Sequence, residues 1–108
     1  MEYTPDYLLE KFGPAIGDLI TGPGDARSRV RDAYGHFGHL QIERAPSAIR
    51  DDLEWILCRL HKHEPRFTED TRVDASIRRM QNRTASKIAS RIYRIYQAMV
   101  RINEAKRE

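Results

Sequence analysis

Cysteine is nearly absent from this sequence: Cys58 stands alone, which excludes an intramolecular disulfide. Long apolar runs are absent too. None approaches the roughly 18 residues of a membrane span, and the opening residues carry no charged-then-apolar leader of the secretory kind. These absences lead to the expectation of a soluble protein in a reducing compartment, most simply the cytoplasm. No stretch alternates β-branched with polar residues in the manner of a strand, so the expected fold is all-α. Internal repeats and low-complexity segments are also missing. Glycine and proline punctuate the first two-thirds of the chain and then stop: neither occurs after residue 70.

Acidic residues are scarce in that same last third. Residues 71–108 hold ten Lys/Arg and three acids, a charge of +7, whereas residues 1–70 hold nine basic and thirteen acidic residues, a charge of −4. The net +3 therefore hides a strong asymmetry, which bears on partners and solubility and not on fold. With 40% apolar and 32% charged residues among 108, the composition suits a charge-rich helical protein, one domain over 1–108 with a thin core.

The pattern predicts a small four-helix bundle with a long basic C-terminal helix. Thr4-Pro5-Asp6 opens the first helix, with threonine as cap and proline in the first turn. Pro14 lacks the donor for a helical bond and its ring crowds the turn before it, so this helix is expected to kink or split at Gly13-Pro14. Gly22-Pro23-Gly24-Asp25 reads as a loop, with Gly22 suited to a left-handed cap and Asp25 to the next N-cap. The second helix is expected to reach about Ile42. The third opens at Ala45-Pro46-Ser47 and closes at Glu64-Pro65, with Ile49, Leu53, Ile56, Leu57 and Leu60 as its core stripe. The fourth spans 72–104, roughly 48 Å at 1.5 Å per residue.

On the fourth helix, Ile88, Ile92, Ile95, Met99 and Ile102 recur at spacings of 4, 3, 4 and 3, a coiled-coil-like seam. Helices half as long cannot cover such a face unless two of them stack end to end. Ile92, Ile95, Met99 and Ile102 are therefore expected at the interface of a homodimer. Trp55 points away from the third helix's core stripe, which marks it as a second candidate for protein contact.

Opposite the seam, Arg72, Arg79, Arg83, Lys87, Arg91, Arg94 and Arg101 fall within an arc of about 120°. Such an edge suits an anionic partner, either an acidic protein or the phosphates of nucleic acid. A solvated helix face is the plainer alternative. Tyr93 and Tyr96 fall on the apolar side, away from the cations, which speaks against stacking on single-stranded bases. The leading functional expectation is a non-catalytic interaction or regulatory module, with sequence-independent nucleic-acid binding next.

Two patterns point elsewhere. Asp32, His36, His39 and Glu43 would line one face of a continuous second helix, as donors for a divalent metal, with His61 and His63 able to join. Arg31 to His36 resembles the Arg-x4-His spacing of a large superfamily of small helical nucleotide-binding and RNA-cleaving domains. There the histidine would serve as general base and the arginine would hold phosphate. On an unbroken helix the two diverge by well over 90°, so only a break at Gly35 would assemble them. Cys58 has no catalytic partner at motif spacing and reads as structural. No cofactor motif is present and no cofactor is expected.

Overall fold

Thr4 begins the first helix as its side chain allows: Oγ1 accepts the Tyr7 N–H at 3.2 Å while Pro5 occupies the first turn. The computed structural model describes residues 1–107, with side chains placed up to Lys106; Glu108, counted in the charge above, lies outside the described residues. Helix α1 (Pro5–Thr21) continues through Gly13-Pro14, so the expected split does not occur. Gly13 has no Cβ to meet the proline ring, which removes half of the usual clash. Leu8, Phe12 and Ala15, buried on both sides of Pro14, hold the helix to the core.

Asp25 caps α2 (Ala26–Phe37), its Oδ1 accepting the Ser28 N–H at 3.1 Å. The left-handed turn before it falls on Gly24 (φ 83), not on Gly22 (φ −66). Helix α2 ends at Phe37 instead of reaching Ile42, and a 3-10 turn follows at Ile42–Arg44. The cause is the N-terminal strap. Tyr3 N–H donates to the Arg44 carbonyl at 2.8 Å, and Gln41 N–H donates to the Tyr3 hydroxyl at 2.9 Å. Those bonds take up backbone groups that a longer helix would use. Gly38 permits the exit, since a Cβ there would lie 2.4 Å from the Tyr34 ring. Gly38→Ala is expected to destabilise by about 1–3 kcal/mol through overpacking. Gly35→Ala, with open space around its Cβ, should instead stabilise by up to about 1 kcal/mol. Urea unfolding of the two variants checks both signs.

Helix α3 (Ser47–Leu60) follows, and then the fourth predicted helix appears as two: α4 (Arg72–Arg79) and α5 (Asn82–Arg107). The bundle thus has five α-helices, and no strand forms among the described residues. No glycine or proline makes the break. Met80 turns extended (φ −84, ψ 142), and contacts from other elements hold it there. Arg27 Nη1 donates to the Met80 carbonyl at 3.3 Å. Ser76 Oγ accepts the His63 N–H at 2.9 Å, and Arg31 Nε donates to Asp74 Oδ1 at 2.5 Å. The side chains of α4 are committed to α2 and α3, while α5 sets off along α1.

One buried cluster draws on every α-helix, including Phe12, Val30, Phe37, Leu53, Leu60, Val73 and Ile88. Phe12 and Phe37 meet with ring centroids 5.0 Å apart. Ile92, Ile95 and Met99, expected between two copies, are 0% exposed within the single chain, and Ile102 is half-buried against the same cluster. The seam is used inside the fold. The length comparison failed because α5, after the break, spans only about 39 Å, and α1, α2 and α3 all pack on it. No described helix is long and apolar enough to cross a membrane.

Candidate anion-binding site

The basic edge expected along one helix does not survive as a single line. Arg72 and Arg79 belong to α4, the other five cations to α5. Several are already engaged. Arg72 lies 3.2 Å from Glu64. Arg91 and Arg94 share Asp52, at 3.3 and 3.6 Å, and that carboxylate is largely covered. Arg91 also sits over the Trp55 ring, 4.2 Å from its centroid, and Arg59 lies over the same ring at 4.4 Å. Trp55 is half-buried, so much of its expected contact surface is taken up by these guanidinium groups within the chain. Arg83, Lys87 and Arg101 are exposed and make no ion pair among the described residues.

What the fold assembles instead is a cleft of about 300 Å³ where α3 ends, α4 breaks and α5 begins. Arg59 and Lys62 enter from the α3 end, His63 from the following loop, Arg79 from α4, and Gln81 and Thr84 from the start of α5. None of its lining residues is acidic. Helices α3 and α5 run antiparallel here, since Asp52 and Trp55 meet Arg91 while Arg59 and Lys62, later in α3 and just past it, share the cleft with Thr84. Lys87, three residues past Thr84, extends the positive charge along that side of α5.

His63 is the fixed point of the cleft. Its backbone N–H is held by Ser76 Oγ, and Ser76 is only 2% exposed. Its Nδ1 lies 3.2 Å from Arg79 Nη1. A guanidinium can only donate, so Nδ1 accepts and the ring proton sits on Nε2. Desolvation, then the Arg79 and Lys62 charges, hold this imidazole below the usual histidine range. Of these causes, the Arg79 and Lys62 charges are the ones that would favour an anion at the same place.

The loop from α3 to α4 is stapled by Asp70. Its carboxylate accepts from both Arg78 terminal nitrogens at 3.0 and 2.5 Å and from the N–H groups of Arg66 and Thr71 at 3.0 and 3.1 Å. The Arg78 bonds, then the Arg66 N–H, bring its pKa down to about 2. The folded value lies below the unfolded one, so this support is complete above pH about 4 and is lost as pH falls toward 2. A carboxyl carbon titration of Asp70 by NMR should find its midpoint near about 2. A midpoint in the ordinary aspartate range would contradict the staple.

The other candidates scatter. Asp32 and His36 lie on α2, His39 beyond its end and Glu43 in the 3-10 turn, so the four share no face. His36 Nε2 donates to Asp18 Oδ2 at 2.7 Å, and His39 pairs with the Tyr7 hydroxyl at 3.1 Å. His61 bonds the Tyr34 hydroxyl at 2.9 Å, across α2 from His36. Among the described residues no three His, Cys, Asp or Glu side chains gather as metal ligands. Helix α2 runs unbroken through Gly35, so Arg31 turns to Asp74 on α4 while His36 turns to Asp18 on α1. The Arg-x4-His pair is not assembled. Cys58 is exposed on α3.

Of the expected cations, only Arg79 lines the cleft, and Arg59, Lys62 and His63 were not in that set. A signal for two of them exists: Trp55, Arg59 and Lys62 stand at i, i+4 and i+7, a helical spacing that runs on past the end of α3 at Leu60. No protein-family model, no curated protein and no solved structure matches this chain, so the site rests on its own residues.

Proposed function

We propose that this protein is a non-catalytic helical interaction module whose basic cleft between α3, α4 and α5 meets an anionic partner. The observation that carries this is the convergence of Arg59, Lys62, His63 and Arg79 on one concave surface with no acidic neighbour in its lining. Arg31, Arg78 and Arg91 are matched, by Asp74, Asp70 and Asp52, while Arg83, Lys87 and Arg101, also without an ion pair among the described residues, are spread along α5. A cluster left unmatched raises the local concentration of anions and speeds their encounter. A homodimer through Ile92, Ile95 and Met99 is not part of this proposal, because those side chains lie inside the single chain. The lone exposed thiol of Cys58 suits the reducing, cytoplasmic setting expected from composition.

Sequence-independent nucleic-acid binding is the second form of the same idea. The half-buried Trp55 beside Arg59 and Arg91 brings an aromatic to the basic side, which Tyr93 and Tyr96 did not promise. Two labelled polyanions separate the forms: an oligoglutamate peptide and an oligothymidylate of equal charge, titrated at about 50 and 200 mM salt. Binding at low salt that weakens steeply at high salt is expected, and the tighter of the two names the class. Failure to bind either at low salt overturns the proposal.

A further inference from the structure

Resting on that reading, we infer that the cleft is the seat of a phosphate group, held by Arg59, Lys62, His63 and Arg79 with Thr84 and Gln81 completing the shell. The inference follows from the number of donors and the directions they come from. A carboxylate is planar, with two oxygens, and its donors gather in and near that plane. Asp70 in this same molecule takes the Arg78 fork and two N–H groups of its own loop. The cleft is different in kind. Its donors come from four places: the last turn of α3, the His63 loop, α4 and the first turn of α5. They comprise two guanidinium groups, an ammonium, an imidazole N–H, a hydroxyl and a carboxamide. Such a set surrounds a tetrahedral anion, whose three or four oxygens accept bonds in all directions. Three permanent cations, Arg59, Lys62 and Arg79, are enough to neutralise a dianion. A volume of about 300 Å³ holds a phosphate or phosphomonoester together with several waters.

Three of the groups lining the cleft are already positioned. Ser76 holds the His63 backbone and Arg79 holds its Nδ1, leaving Nε2 as the ring's N–H donor. Arg59 is steadied over Trp55. Binding then has to order the side chains of Lys62, Gln81 and Thr84 but not these three.

The test is an NMR titration of the whole protein, following the His63 ring, with inorganic phosphate, O-phosphoserine and acetate as probes in separate arms. Phosphate and phosphoserine are expected to move the His63 titration midpoint upward, because a bound dianion favours the imidazolium; acetate at equal ionic strength should leave it in place. Tighter binding of inorganic phosphate names the free ion as the source, and tighter binding of phosphoserine names a phosphomonoester. Arg79→Gln should weaken the phosphate response roughly tenfold, the loss of one charge-assisted contact, and Thr84→Val less. Equal shifts with acetate, or a phosphate response unchanged in both Arg79→Gln and Lys62→Gln, overturns the phosphate seat. If the cleft binds the polyanions but ignores phosphate, the seat fails and the interaction module stands; if it binds neither, both fail.

Discussion

Ile95→Ala should remove about 3 kcal/mol of stability, within the ~2–5 kcal/mol range for large-to-small changes in a core. Ile95 is 0% exposed and lies on the face of α5 that α1, α2 and α3 cover. Removing its outer carbons forfeits their burial and leaves a cavity that neighbours such as Ile92 and Met99, also 0% exposed, cannot close without strain. A protein of this size has about 5–15 kcal/mol in all, so the change takes a substantial fraction. The melting temperature should fall by roughly 10–20 °C. The loss should be the same at two protein concentrations tenfold apart, because the contact is within one chain. A variant that stays as stable as the parent and loses only a concentration-dependent association would return Ile95 to an interface between copies.

The double reversal Lys62→Glu/Arg79→Glu should lower polyanion affinity by roughly two orders of magnitude at about 50 mM salt and reduce the salt slope by about two. Both side chains are exposed, so the fold should survive the change intact. The Arg79 bond to His63 Nδ1 is lost in this variant, while the charge that both cations place on His63 is relieved. The same variant should raise the His63 pKa: the charges that depress it are gone and two carboxylates stand in their place. Loss of binding together with loss of folding, or a His63 midpoint that stays low, would contradict this account of the cleft.

The helical class and most helix starts were legible because they depend on neighbours in sequence. Thr4-Pro5 and Asp25 each cap the helix that follows, with Asp25 accepting the Ser28 N–H; for α4 the sequence offers Thr68, Asp70 and Thr71 alike, and Thr71 is the one that accepts the Asp74 N–H. The break at Met80 was not legible. Ile77 and Ile88 stay in phase on a helical wheel, so the apolar pattern reads straight through it. What ends α4 is partly Arg27, 53 residues away, donating to the Met80 carbonyl. The end of α2 was hidden for the same reason, since Tyr3 sets it from the far end of the chain. Periodicity found Ile92, Ile95 and Met99 as residues that must be buried. It carried no information about what buries them.

The candidate site was half legible. Arg79 and Lys87 stood out as charge on an exposed face. Which cations stay unmatched depends on pairing across elements: Asp52 reaches Arg91 and Arg94, 39 and 42 positions on, and that removes two members of the expected edge. Arg59, Lys62 and His63 come from another helix and its loop, and the break at Met80 is what brings Arg79 to them.

The central claim is that a shaped cleft, and not the general positive charge of the C-terminal third, meets the anion. Two double variants with the same change in net charge decide it. Lys62→Glu/Arg79→Glu alters the cleft, while Arg101→Glu/Lys106→Glu alters exposed cations at the other end of α5, about 26 Å from Thr84 along the helix for Arg101. Affinity for the same labelled polyanion is measured for both at the same salt. Near-complete loss in the first and a change of less than about threefold in the second, the size expected from long-range screening alone, is the predicted result. Equal losses in the two would mean that diffuse charge does the binding, and the cleft would no longer be the site.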